Sequence, residues 1–263
     1  MTYFGFLLRF LVIPILILLA ITIWDNKNKK PTHGFQNGRA VLTAIFVHVI
    51  LAVVYTTPWD NYLVATGVWY YNPDLVAGFV IGYVPIEEYT FFVLETILSG
   101  LWWWFLARRL PEPAGFQPSK SKRIIAFIVL FIAWIVFTIL FFNGNKSLTY
   151  LSITLFWAFP AIFPQLLYGA DILWHHRNLI LPGVVVPGTY LSLMDIVALS
   201  QSTWSISRDK TTGIQFFGIL PLEEVIFFFV TNILIIFGMT LLLSKIGRQR
   251  FSNWRSNKFR EST

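Results

Sequence analysis

The chain of 263 residues has no cysteine. That excludes a disulfide framework, a thiolate metal site and a cysteine nucleophile, and it leaves the redox compartment unread. Charge is scarce as well: Asp, Glu, Lys and Arg make up 13% of the residues, against about 25% in an ordinary soluble domain. No Gly-rich phosphate loop or G-x-G-x-x-G fingerprint occurs, so no bound nucleotide cofactor is implied. His33, His48 and the His175-His176 pair lack metal-ligand spacing and read as interfacial side chains in place of ligands, so no metal is expected. No aspartate-rich diphosphate motif is present, which argues against prenyl transfer, and no lysine between 214 and 243 could carry a retinal Schiff base.

What is abundant is hydrocarbon. Residues of the set AVILMFWYC account for 56% of the chain, too many to hide in one aqueous core with so little polar surface. A soluble enzyme, a nucleic-acid-binding domain and a disordered tail are excluded. Apolar runs that suffice to cross a bilayer take about 20 residues each. Seven are present, over 3–23, 39–57, 76–106, 123–142, 148–168, 180–199 and 214–243. The first is not a cleaved signal: it lacks a basic start, carries Arg9, and ends at Trp24-Asp25.

The basic residues test the count. Seven crossings gather sixteen Lys and Arg on one side, in 27–39, 108–123, at Arg177 and in the tail (Lys245, Arg248, Arg250, Arg255, Lys258, Arg260), against Lys146, Arg208 and Lys210 on the other. The positive-inside rule then makes this a multi-pass protein of the cell membrane with its N-terminus outside and its C-terminus cytoplasmic. The net charge of +7 reflects that topology and no nucleic-acid partner. Trp59, Trp69, Tyr70 and Tyr71 outside and Trp102, Trp103 and Trp104 inside fall where interfacial aromatic belts belong.

The sequence also repeats itself. Gly82-Tyr-Val-Pro85-Ile-Glu87-Glu88-Tyr-Thr-Phe91-Phe92 recurs as Gly218-Ile-Leu-Pro221-Leu-Glu223-Glu224-Val-Ile-Phe227-Phe228, 136 residues on, and Asp60 and Trp69 recur as Asp195 and Trp204 at 135. An offset of four spans keeps both copies in one orientation. The fold class is therefore all-α integral membrane: two parallel three-helix repeats (1–115 and 147–263) joined by a linker and connector helix (116–146).

Glu87, Glu88, Glu95, Glu223 and Glu224 lie inside apolar runs that hold no Lys or Arg. Ionised, five such groups would cost on the order of 10 kcal/mol or more. Protonation is the cheaper state, and neighbouring carboxyls can divide into one acid and one base. Phe91, Phe92, Phe227 and Phe228 stand four residues after the glutamates, where π-faces steady a positive centre without attacking it. A dry acid beside aromatic faces suits protonation of an alkene and control of the carbocation that follows. Pro85 and Pro221 either kink a span or begin a helix. Asp60 and Asp195 could relay protons or cap helices, and Glu95, matched by Thr231, is auxiliary.

These motifs resemble the membrane-embedded lycopene cyclases, whose c-type and d-type halves occur as two subunits or one fused chain. The paired Pro-x-Glu-Glu…Phe-Phe motifs carry the resemblance, with Pro58-Trp59-Asp60-Asn61 similar to the c-half and Thr231-Asn232 to the d-half. It implies a c-type repeat, a d-type repeat, and an intramolecular lyase or isomerase that closes β-rings on lycopene through a carbocation, without cofactor or metal. Glu87, Glu88, Glu223 and Glu224 become catalytic candidates. Trp59, Asp60, Trp69, Phe91, Phe92, Glu95, Asp195, Trp204, Phe227, Phe228 and Asn232 become substrate-binding candidates. The implied partners are the lipophilic carotenoid, the bilayer and other carotenoid-pathway enzymes. A fifty-carbon carotenoid cyclase or a hydratase remains an alternative, as does a proton-coupled transporter.

Overall fold

The computed structural model describes residues 1–36 and 38–260, with the side chains of Arg255, Asn257, Lys258, Phe259 and Arg260 outside that description. Seven helices among them are long and apolar enough to cross a membrane, and the chain is a multi-pass all-α protein. They are α1 (Tyr3–Lys27), α2 (Gly38–Ala65), α3 (Ile86–Ala107), α4 (Lys120–Phe142), α5 (Thr149–His175), α6 (Arg177–Ser200) and α7 (Leu222–Leu243). A basic helix, α8 (Lys245–Arg260), follows.

Burial sorts these helices. α3 and α7 are central and pack on each other; α1 and α2 flank α3, whereas α5 and α6 flank α7. α4 has no buried residue and leans on α5, as a lipid-facing connector would. Prolines inside spans leave carbonyls without a helical donor, and side chains from other helices supply one. Pro14 frees the Phe10 carbonyl, beside a π-turn over Leu8–Val12, and the Tyr190 hydroxyl donates to it at 2.9 Å. Pro160 frees Phe156, which accepts from Trp134 Nε1 at 3.0 Å.

Hydropathy misjudges several of the apolar runs at their ends; the run 148–168, for one, stops seven residues short of the end of α5. The runs 76–106 and 214–243 overshoot, because each motif begins in a hairpin. Strands β2 (Val80–Ile81) and β3 (Val84–Pro85) form the first hairpin, and β5 (Gln215–Phe216) and β6 (Leu220–Pro221) the second. Pro85 and Pro221 are thus the extended residues just before α3 and α7, so they start helices and kink nothing. The run 39–57 undershoots: α2 continues through Pro58 to Ala65 because Thr56 and Asp60, polar in composition, are buried within the protein.

Two further strands, β1 (Trp69–Tyr71) and β4 (Trp204–Ile206), pair antiparallel and tie the two hairpin-end loops together. Tyr3 N donates to the Leu75 carbonyl at 2.8 Å, and Thr203 Oγ1 to that of Met1 at 3.0 Å, so this end of the bundle is covered. The opposite end is clamped by charge. Asp25 of α1 accepts from Arg109 at 2.9 and 3.3 Å, and Asp171 of α5 from Arg250 at 2.8 and 2.7 Å.

The aromatic-belt reading is corrected at several positions. Trp59, Trp69, Trp103 and Trp104 are buried, and Trp103 Nε1 donates to Thr240 Oγ1 at 2.9 Å. Their indoles pack helices instead of marking an interface. His176 is likewise no interfacial group: it is buried with its ring 5.2 Å from that of Phe35, and burial pushes its imidazole down to about 4, so it is neutral at pH 7. Because breaking a buried ion pair costs about 3–5 kcal/mol, Asp171→Asn is expected to lower the thermal midpoint of the detergent-solubilised protein and to open α8 to protease. A midpoint equal to wild type would show the clamp to be dispensable.

Candidate active site

Glu88 in the first turn of α3 and Glu224 in the first turn of α7 face one cavity beneath the β1–β4 ladder. The cavity holds about 30 Å³, room for roughly one water molecule. Its walls include Phe91, Phe227 and Phe228, with Trp69 and Trp204 from the two strands, and Asp195 adds a third carboxyl. Phe92 does not line it. Each of the two glutamates is held by a phenol from another helix. Tyr3 of α1 donates to Glu88 Oε2, and Tyr150 of α5 donates to Glu224 Oε1 at 2.7 Å. Trp69 Nε1 reaches Glu224 Oε1 at 3.2 Å, and Trp204 Nε1 reaches Asp195 Oδ1 at 2.8 Å.

The other member of each acidic pair is placed elsewhere. Glu87 Oε1 accepts from the backbone N–H of Ala77 at 2.6 Å, and Glu223 Oε1 from that of Thr212, also at 2.6 Å. Neither lines the cavity. Both brace the loop that leads into their own hairpin, so the doubled Glu-Glu divides into one residue for the loop and one for the cavity. The two neighbours thus have different surroundings, and the cavity takes one glutamate from each copy.

No family profile and no solved structure matches this chain. Curated proteins do. A lycopene beta-cyclase of Halobacterium salinarum is 35% identical over 221 residues, which cover 82% of this chain and 89% of that protein. A bifunctional lycopene cyclase/phytoene synthase of Podospora anserina is 33% identical over 200 residues, covering 73% of this chain and 34% of that longer protein. One from Aspergillus oryzae is 30% identical over 196 residues, with 74% and 33% covered. The chain belongs to the lycopene β-cyclase family.

The remaining candidate residues of this cyclase-family chain do not all meet at the acid cavity. Asp60 is fully buried in α2, and neither carboxyl oxygen has a hydrogen-bond partner among the described residues. Trp59 beside it stacks on Phe227 with ring centroids 5.2 Å apart. Glu95, Phe92 and Thr231 line a second cavity of about 330 Å³ between α2, α3, α5 and α7, and Phe227 belongs to the walls of both. Thr231 Oγ1 donates to Glu95 Oε1 at 2.7 Å, so these matched residues of the two motifs meet each other. Asn232 lines neither cavity; it accepts from Ser99 at 2.7 Å and joins α3 to α7.

The residues that sequence reasoning missed are the tyrosines. Tyr3, Tyr71 and Tyr150 all bear on the glutamates, and burial, with the Glu88 charge adding to it, pushes the Tyr71 phenol well up. A signal existed: Thr2-Tyr3 recurs as Thr149-Tyr150 at an offset of 147, Tyr3 being the first residue of α1 and Tyr150 the second of α5. Glu224 keeps the Trp69 donor when Tyr150 is lost, whereas among the described residues Tyr3 alone donates to Glu88, the nearby Tyr71 hydroxyl making no hydrogen bond. Leaving a buried acceptor unpaired costs about 1–3 kcal/mol. Tyr3→Phe should therefore lower the thermal midpoint more than Tyr150→Phe does. The reverse order in thermal melts would contradict this assignment of donors.

Proposed function

We propose that this protein closes β-rings on the acyclic ends of lycopene, the reaction that its relatives' names describe, and that Glu88 and Glu224 are the acid and base. The observation that carries the reading is the convergence of these two carboxyls, one from each motif, on a single aromatic-walled cavity. In the first step a carboxylic acid protonates the terminal double bond of the end group and leaves a tertiary carbocation. The neighbouring internal double bond attacks that centre, closes a six-membered ring and moves the positive charge onto the ring. In the last step a carboxylate takes a proton from the ring carbon next to the cation, and the new double bond completes the β-ring. One proton enters and one leaves, so the reaction is a redox-neutral isomerisation that needs no cofactor.

The surroundings suit each step. Tyr3 and Tyr150 each occupy one carboxyl oxygen and leave the other to carry the transferred proton. A phenol donor, unlike a guanidinium, does not lock the group as an anion. Trp69, Phe227 and Phe228 present π-faces worth about 0.5–2 kcal/mol each to a desolvated cation. They also keep out the water that would quench it to an alcohol.

General acid–base groups contribute about 10²–10⁴-fold. In a lycopene-accumulating bacterium, Glu88→Gln and Glu224→Gln should therefore abolish β-carotene formation with normal membrane insertion. Glu87→Gln and Glu223→Gln should reduce the amount of inserted protein more than the activity of what is inserted. Pigment chromatography beside an immunoblot reads both. Active Gln variants at 88 and 224 would remove the proposed acids, and unchanged lycopene with well-inserted wild type would point to the fifty-carbon substrate.

We further infer the orientation and division of the chain. The charge bias supports hairpins outside and α8 in the cytoplasm of a cell membrane, with a c-type repeat over 1–115 and a d-type repeat over 147–263 joined through 116–146. Apposition to the enzymes that make lycopene fits a hydrocarbon that cannot cross water. The absence of native cysteine allows a direct test. On intact cells an impermeant maleimide should label Asp74→Cys, exposed in the loop that leads into the first hairpin, and reach the exposed Lys29→Cys only after lysis. The opposite pattern would invert the topology.

A further inference from the structure

Contacts on one flank of the bundle have counterparts on the other, at spacings of 135 and 147 residues. The Tyr55 hydroxyl of α2 donates to the Trp157 carbonyl of α5 at 2.8 Å, and the Tyr190 hydroxyl of α6 donates to the Phe10 carbonyl of α1 at 2.9 Å. Beside each bridge a cavity opens sideways. The one between α2 and α5 is the 330 Å³ cavity that shares Phe227 with the acid site. Its counterpart between α1 and α6 holds about 260 Å³ and shares no residue with the acid site.

The two flanks differ at the residues that matter for a polyene. On the α2–α5 side four rings stack from the membrane face inward: Tyr55 on Trp157 at 5.6 Å, Trp157 on Trp59 at 4.6 Å, and Trp59 on Phe227 at 5.2 Å. At the matching positions opposite stand Tyr190, Phe10, Met194 and Phe91, and no such stack forms. Toward the charged end, the α2–α5 cavity continues past His48, Leu51 and Gln165 into a further 700 Å³ that ends at Arg248 and Phe251. Gly238 allows this continuation: a Cβ there would lie 2.1 Å from His48 Nε2. Opposite, Trp102 occupies the matching position and donates to the Pro182 carbonyl at 3.0 Å, filling the space.

We propose, resting on the cyclase reading, that the hydrocarbon chain of the substrate lies in this one groove between α2 and α5, and that the α1–α6 recess holds none. From Phe227 to Leu242 the groove follows 15 residues of α7, about 22 Å at 1.5 Å per residue. That is most of the roughly 30 Å hydrocarbon layer. The chain enters sideways from the lipid, stacks along the aromatic row, and presents its tip to Glu88 and Glu224 once the Phe227 ring swings aside. With one groove and one acid cavity, the two ends of a symmetrical substrate react in separate binding events. The monocyclic product leaves and returns reversed.

Mirror substitutions test the asymmetry. Leu51 and Val186 occupy matching lipid-exposed positions on the two flanks. Per folded protein, Leu51→Trp and Ala161→Phe should each slow lycopene conversion by about tenfold or more, Val186→Trp should stay within about twofold, and free monocyclic carotene should precede the bicyclic product. A second arm needs no turnover. In the cysteine-free chain, lycopene-loaded micelles should slow labelling of Leu51→Cys by a lipid-soluble maleimide and leave Val186→Cys unaffected. Equal effects on both flanks, effects on the α1–α6 flank alone, or none on either would overturn the proposal. Wild type that leaves lycopene uncyclised would fail the cyclase reading, and the labelling arm would still decide the groove.

Discussion

A carboxyl group strong enough to protonate an alkene has to be dry, and a dry carboxyl has to be held by something that does not neutralise it. This constraint sorts the polar side chains of the protein along the bundle. At the charged end, Asp25 and Asp171 meet arginines, and the result is a pair of fixed ion bridges that fasten helices together. At the hairpin end, Glu88, Glu224 and Asp195 meet phenols and indoles, which donate a hydrogen bond and bring no positive charge. A guanidinium beside Glu88 would stabilise the carboxylate and make a structural residue of it. Tyrosine leaves the proton available.

The covering of the site follows from the same constraint. Glu87 and Glu223 draw the approach to each hairpin down onto the first turn of its helix, and the β1–β4 ladder ties the two loops together above the cavity. Both features use backbone donors, so the roof is tied down without a cation near the cavity; the Tyr71 hydroxyl, in the cavity wall, is left without a hydrogen-bond partner among the described residues. A surface loop would be expected to carry function itself. On the proposed mechanism the loops exclude water and the helix starts carry the chemistry.

Much of this is legible in the sequence alone. Long apolar runs, the asymmetry of Lys and Arg and the doubled motif require a membrane bundle of seven helices with two internal copies, because hydrocarbon leaves the backbone few alternatives. The glutamates stood out for their cost. What stayed hidden depended on contacts between distant segments. Hydropathy could not separate α3 from the hairpin before it, since both are apolar. Trp103, Trp104 and Trp59 looked like membrane anchors, since an indole has the same composition whether it faces headgroups or another helix. Tyr3 and Tyr150 were legible as a repeated Thr-Tyr, but two residues in a run of hydrophobic ones carry little weight until they are seen to reach the same pair of acids.

The division of labour within each Glu-Glu has a geometric cause. Adjacent residues on an α-helix point about 100° apart, so Glu87 and Glu88 cannot both face one narrow cavity, and a lone copy of the motif can supply a single acid to it. A base of matching depth has to come from elsewhere, and parallel duplication provides one. The α3–α7 interface brings matched or neighbouring positions of the two motifs together: Glu88 with Glu224 at the cavity, Phe91 with Phe228 at 6.2 Å, Glu95 with Thr231 at 2.7 Å. Such an arrangement makes the acid and the base interchangeable in origin, and only the flanks distinguish them. Glu224 lies nearest the stacked row through Trp69 and Phe227, whereas Glu88 has Tyr3 and Tyr71 around it. Once the copies have diverged in this way, a substrate that is itself symmetrical would meet an enzyme that is not, and on the proposed one-groove arrangement the side from which the chain arrives would set the order of proton donation and removal.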